Sequence, residues 1–245
     1  MSDPATLRSD AARNRARIIA AASELFAESG ADLSVDEIAR RAGVGHATVF
    51  RRFPTKEDLV LAMFEERLLE VARVAEAAEE LEDPWEGLRT AMEHIAAKQV
   101  SDRGLFEAVA TEMIGSPRLR EARHRVMQPF ERLLRRAQDA GMVRGDLEPP
   151  DVIFLVTAAG HAAPCRIDLP DVWRRYLGVI FDGMRPDGAS PLPAAAPTVG
   201  QLDEALEAAA SRSEPRSSSA FARALQADDE RGSDLLAAAS SASSS

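Results

Sequence analysis

The stretch SVDEIARRAGVGHATVFRRFPTK, running from Ser34 to Lys56, decides the fold. Ser34 with Glu37 three residues on is a capping box, which starts a helix at Val35. Val35, Ile38, Ala39 and Ala42 recur at helical spacing and give that helix one inward face, ending at Ala42. Gly43 follows, the residue type that enters a left-handed turn at least cost. Val44, Val49 and Phe53 then anchor a second short helix on the same small core, and Ala39 has to be small because that helix crosses close over it. Two short helices joined at a glycine turn form a helix-turn-helix. Thr55 before Lys56, Glu57 and Asp58 is the N-cap of the next helix.

Outward from this unit the pattern stays helical. Ile18, Ala22, Leu25 and Phe26 share one face of a helix expected from Asp10 to Ser29, which Gly30 stops; residues 1–9 read as a mobile arm. The helix opened by Thr55 continues through Leu59, Met63, Leu68 and Val71 to about Ala78. Later helices are expected to start near Pro84, Asp102, Ser116, Pro150 and Asp171, several of them with proline in the first turn. Pro129 is expected to kink or break the helix that Gly141 closes. With 45% apolar but only 5% aromatic residues and few alternating β-branched runs, the expected fold is all-α. Its parts are a helix-turn-helix domain over 10–56 and a long connecting helix into a helical domain over 57–185. Residues 186–245 are rich in Pro, Ala and Ser and read as mostly disordered, with transient helix around Leu202 and Leu206 and around Phe221 and Leu225.

The net charge of −10 is unevenly spread. Residues 1–56 carry nine Arg and Lys against seven Asp and Glu, a local +2, which leaves −12 for the remainder. Screening makes phosphate attraction local, so a basic head on an acidic body is compatible with nucleic acid. Cys165 is the single cysteine, which excludes an intrachain disulfide and points to the reducing cytoplasm. The longest apolar run, Val152 to Ala163, is too short to span a bilayer and contains His161. His94, His124 and His161 lack ligand spacing with carboxylates or the thiol, so no metal or other cofactor is expected. Pro164 separates His161 from Cys165 and Asp168, and no oxyanion-forming loop accompanies them, so no catalytic residue is assigned.

The chemistry of the opening stretch points to duplex DNA. The N-terminal part of its second helix would direct Gly45, His46, Ala47 and Thr48 into the major groove, where His46 donates to a guanine acceptor and Thr48 meets a phosphate or a thymine methyl. Arg51, Arg52 and Lys56 suit phosphates, Lys56 beside the free amides of the helix it opens. Ser34, Phe50 and Arg17 complete the expected contact set, with Arg13 and Arg17 bracing the flanking backbone. The competing reading is a plain helical hairpin with solvated arginines.

Residues 13–63 resemble the DNA-binding domain of the TetR (tetracycline repressor) family of bacterial transcriptional regulators. The likeness lies in Leu25-Phe26-Ala27-Glu28-Ser29-Gly30, Ser34 to Ala39, Gly43-Val44-Gly45, Thr48-Val49-Phe50 and Phe53-Pro54-Thr55-Lys56-Glu57-Asp58-Leu59, about a fifth of the chain. The family usually has a phosphate-binding tyrosine where Phe50 stands and a histidine where Arg52 stands, while His46 falls where it varies. The resemblance implies a homodimeric repressor on a near-palindromic operator, with C-terminal helices that dimerise and often enclose an apolar or amphipathic effector. Candidate effector-lining residues are Trp85, Met92, Ile95, Phe106, Met113, Met127, Phe130, Phe154, Thr157 and His161, each of which taken singly also suits plain core. Val152 to His161 and the stripe Val172, Trp173, Tyr176, Leu177, Ile180 and Phe181 would pair with their two-fold mates as a four-helix bundle. Alternatives are a DNA-binding regulator without small-molecule control and a helical protein-interaction adaptor.

Overall fold

The computed structural model describes residues 4–29, 33–102, 105, 109, 115–160 and 171–212. Within them the regular elements are helices, and no strand occurs among the described residues. They are α1 (Pro4–Ser29), α2 (Val35–Ala42), α3 (His46–Arg52), α4 (Lys56–Ala78), α5 (Pro84–Ser101), α6 (Pro117–Asp139), α7 (Pro149–Gly160), α8 (Val172–Gly183) and α9 (Val199–Arg212). Leu105 and Val109 are helical and buried as well. The described residues up to Arg52 form one compact unit and Phe53–Ser211 another.

The first unit packs α1 on α2 and α2 on α3. Ile18, Ala22 and Leu25 from α1, Leu33, and Ile38, Ala39 and Ala42 from α2 are all buried, as is Val49 of α3. The bounds of α2 are the expected ones, but only half of its capping box forms. Ser34 accepts from the Glu37 amide at 3.5 Å, while the Glu37 carboxylate takes the Arg40 guanidinium instead of turning back. α1 begins six residues earlier than the expected Asp10: Pro4 to Ser9, read as arm, are helical. A proline in the first turn starts a helix without loss of a bond.

In the second unit α4, α5 and α6 pack on one another, and α7 and α8 close the other side of α5. α4 opens on a complete capping box, with Asp58 N–H donating to Thr55 Oγ1 at 3.0 Å and Thr55 N–H to Asp58 Oδ2 at 3.3 Å. α5 opens on Asp83, whose carboxylate accepts from the amides of Trp85 and Glu86. Pro129 does not break α6, which runs unbroken from Pro117 to Asp139. The missing donor costs about 3 kcal/mol. Burial of Phe130, Leu133, Leu134 and Ala137 on the neighbouring helices offsets it, at roughly 1.5–3 kcal/mol for each large side chain. Gly141 (φ 68°) then ends α6 as expected: Met142 N–H donates to Ala137 O and Gly141 N–H to Gln138 O, the paired bonds of a Schellman cap.

One further departure lies beyond the helix-turn-helix unit. Residues 199–212, placed by composition in a mostly disordered tail with transient helix around Leu202 and Leu206, form α9. Asp102, near which a further helix start was expected, is the C-cap of α5, and Leu105 and Val109 after it are helical. Residues 213–245 lie outside the described part.

Candidate nucleic-acid interface

The turn between α2 and α3 is built on Gly43, at φ 61° and ψ 42°. Gly43 N–H donates to Arg40 O and Val44 N–H to Ala39 O, so α2 closes with the same paired cap as α6. Arg17 of α1 reaches across and donates from Nη2 to Gly43 O at 3.2 Å. A Cβ at Gly43 would lie 2.4 Å from that nitrogen. Gly43→Ala is therefore expected to lower stability by about 1–2 kcal/mol, chiefly through the left-handed backbone, because the Arg17 head can swing aside. Urea denaturation checks it; an unchanged midpoint would refute this account of the turn.

α3 presents one face outward. Val49 is 2% exposed and points inward, while His46, Ala47, Phe50, Arg51 and Arg52 are exposed, as are Ser34 and Gly45; Thr48 is half-buried. The His46 ring stands edge-on to Phe50, with centroids 4.8 Å apart, and its Nε2 lies 3.3 Å from Asp36 Oδ1. Helical periodicity gave no sign of this Asp36 contact, because it spans the turn rather than a single helix.

The four arginines of α2 and α3 divide into two pairs. Arg40 bonds the Glu37 carboxylate, and Arg41 bonds Glu28 at 2.7 Å with Glu37 and Glu24 nearby. Those hydrogen bonds hold the Glu28 and Glu37 carboxyls below the usual carboxylate range and raise both guanidinium values. Arg51 and Arg52 have no ion-pair partner among the described residues and extend from the exposed end of α3. Sequence alone assigns phosphates to Arg51 and Arg52 and not to Arg40 or Arg41. The cations left available for phosphate are the two on α3.

Lys56 stands elsewhere. It is the first residue of α4, in the second unit, and only 6% exposed. The helix start it was expected to use is also less open than supposed, since the Thr55–Asp58 box already occupies two of its amides.

Residues 18–63 match the sequence profile of bacterial regulatory proteins of the tetR family, and residues 83–186 that of the C-terminal domain of SbtR-like transcriptional regulators. A TetR transcription regulatory protein from Mycobacterium vanbaalenii is 35% identical, the match covering 73% of this chain and 99% of that one, with a TM-score of 0.55. The chain belongs to the TetR family. A second TetR regulator, from Streptomyces coelicolor, is 27% identical over 71% of this chain and 99% of its own, with a TM-score of 0.56. An HTH-type transcriptional regulator of Staphylococcus aureus is 25% identical over 105 residues, 42% of this chain; the match spans 57% of that relative's length.

The TetR family's C-terminal part is where effector-lining residues were expected. Trp85, Met92, Ile95 and Phe130 lie in one buried apolar cluster with α4, α7 and α8 residues, and Met127 is 9% exposed. Phe154 departs from the expectation: at 49% exposed it faces outward from α7, because Val152, Val156 and Ala159 take the inward side. Thr157 accepts from Gln99 Nε2 at 3.1 Å, and the Oε1 atom of that buried glutamine lacks a partner. A Cβ at Gly160 would lie 2.6 Å from the same Oε1, so α5 and α7 approach closely there. Phe106, Met113 and His161, with Cys165 and Asp168, lie outside the described residues. No group of three or more metal-ligating side chains occurs among the described residues, and no described helix is long and apolar enough to cross a membrane.

His94 on α5 adds a pH dependence. Burial pushes its imidazole below the usual value of 6.5, Glu70 opposes that shift and Lys98 adds to it, and Nε2 is buried without a hydrogen-bond partner. The fold thus favours the neutral ring. The stability this gives is complete above the unfolded-state value and is lost as pH falls below it towards the lower folded-state one. His94→Gln is expected to flatten the decline in stability between about pH 7 and pH 5, measured by denaturation at each pH. An acid limb identical to that of the parent would count against it.

Proposed function

We propose that the chain is a DNA-binding transcriptional regulator, a cytoplasmic repressor that grips a near-palindromic operator as a homodimer. The observation that supports this best is the outward face of α3: a side chain suited to base edges, His46, on the same short helix as two unpaired arginines, Arg51 and Arg52. Arg51 and Arg52 bind phosphates, Ser34, Gly45, Ala47 and Thr48 line the groove contact, and Phe50 supplies apolar contact without the donor its tyrosine counterpart would have. Arg17 steadies the turn through Gly43 O and would brace the flanking phosphate backbone. With 6% exposure, Lys56 is the least accessible of the assigned contacts.

Dimerisation is assigned to α7 and α8. Trp173, Leu177 and Phe181 of α8 turn inward, yet Tyr176 is 46% and Val179 64% exposed on the other side, and Phe154 on the neighbouring α7 is exposed as well. A helix apolar on both sides needs a second covering layer, and a two-fold mate supplies it. An apolar or amphipathic effector would occupy the C-terminal helices near Trp85, Ile95, Met127 and Thr157, with Gln99 as its polar neighbour. Fully buried Met92 and Phe130 belong to the packing around it. Binding would shift α4, which follows α3 after only three residues, and so release DNA. Operator must then weaken effector binding by the same factor.

The test is selection from random duplexes at low salt with the parent chain and His46→Ala. The parent should enrich a two-fold symmetric motif, and the variant a motif changed at one position in each half-site. Failure of the parent to enrich any duplex would overturn the DNA assignment. An identical motif from both proteins would remove His46 from base reading and leave the rest standing.

A further inference from the structure

The helix that composition had assigned to a disordered tail sits on a basic face of α6. Asp203 of α9 lies 2.6 Å from His124 Nε2 and 3.2 Å from Arg123 Nη2, and one turn on Glu207 pairs with Arg120. Arg120, Arg123 and His124 fall on one side of α6, and Asp203 and Glu207, four apart, on one side of α9. The Arg123–Asp203 pair is sheltered, with side chains 15% and 14% exposed. Burial acting alone would raise the Asp203 carboxyl; the hydrogen bonds from His124 and Arg123 outweigh it and hold the group below its usual range. Thr198 and Gln201 bond each other's amides and fix the start of α9.

What α9 lacks is equally informative. None of its described residues is buried: Leu202 and Leu206 on the docked side are only half-buried. A helix that docked by apolar burial would hide at least one such side chain, each worth roughly 1.5–3 kcal/mol. The attraction holding α9 is therefore mostly charge, and charge attraction is screened by salt where apolar contact is not. The segment also lies beyond both family-matched stretches, which end at residue 186.

We propose that the Arg120–Arg123–His124 face of α6 is a docking site for an acidic amphipathic helix, and that its occupant is this chain's own α9, a detachable strap held by ion pairs. Detachment uncovers two arginines and a histidine on one face of α6, and reattachment covers them again. The strap is independent of the operator reading: it needs neither DNA nor effector.

Hydrogen exchange of the full chain tests it, with the amides of Leu133 and Leu134 as an internal reference for the folded body. At about 0.1 M NaCl, where the Debye length is about 10 Å, the amides of 202–209 should be protected; at about 1 M, where it is about 3 Å, they should exchange at least about tenfold faster while the reference is unchanged. Asp203→Lys should remove the protection at low salt, and Asp203→Lys combined with Arg123→Glu should restore at least part of it. Exchange in 202–209 that is already unprotected at low salt, or protected equally at both, would overturn the proposal. So would an Asp203→Lys chain that keeps full protection, or a double variant no better protected than the single.

Discussion

Replacing Arg51 and Arg52 together by alanine is expected to weaken binding to every duplex, roughly ten- to a hundredfold near 0.1 M salt, and to reduce the slope of log affinity against log salt by about two. A guanidinium already bonded to a carboxylate must break that bond before it can displace a counterion from phosphate. Arg40 and Arg41 are bonded in this way, to Glu37 and Glu28, whereas the two arginines on α3 have no such partner among the described residues. Both are exposed and unpaired, so their loss should change stability by no more than about 0.5 kcal/mol. Alanine at Arg40 and Arg41 should show the opposite signature: a small change in salt slope and a measurable loss of stability from the broken α1–α2 pairing. Titration of a fluorescent duplex over a series of salt concentrations distinguishes them. If the α3 double variant kept the parental slope, the assignment of phosphate contacts to these two residues would be wrong.

Phe130→Ala should produce the largest loss of stability of any single change considered, about 3–5 kcal/mol. Phe130 is wholly buried on α6, next to Pro129, in the cluster that joins α4, α5, α7 and α8. Removing the ring deletes its transfer energy and leaves a cavity that the surrounding helices cannot collapse to fill. Against a typical total of about 5–15 kcal/mol, such a loss would leave the helical body marginal. The same experiment separates packing from pocket. A ring lining a solvent-reached cavity would have fewer neighbours to lose, so a cost below about 1 kcal/mol in urea denaturation would move Phe130 out of the core and back among the effector-lining residues.

The helix-turn-helix was legible because its signals are local. Ser34, Gly43 and the inward spacing of Ile38, Ala39 and Ala42 act within one or two turns of chain, and the same is true of the Thr55 cap, of Gly141 and of the helix starts at Pro84 and Pro117. Pro129 misleads for the converse reason. Its local cost is real, but burial of its neighbours against α4 and α5, more than fifty residues distant in places, outweighs it. For α9 the sequence shows only a transient helix around Leu202 and Leu206, because an Ala-rich segment with two leucines has too little apolar surface to fold alone, and its partners Arg120, Arg123 and His124 lie some eighty residues earlier.

The sequence by itself determined the helical class and the position of the helix-turn-helix that carries the proposed groove contacts, since caps, turn glycines and helical periodicity depend on neighbours in the chain. Tertiary structure alone decided that Glu28 of α1 takes Arg41, that Phe154 faces outward while Phe130 is buried, and that residues 199–212 have a surface to dock on. Those outcomes depend on charges and volumes brought together from separate segments, and no local pattern encodes that a carboxylate of one helix will reach a guanidinium of another.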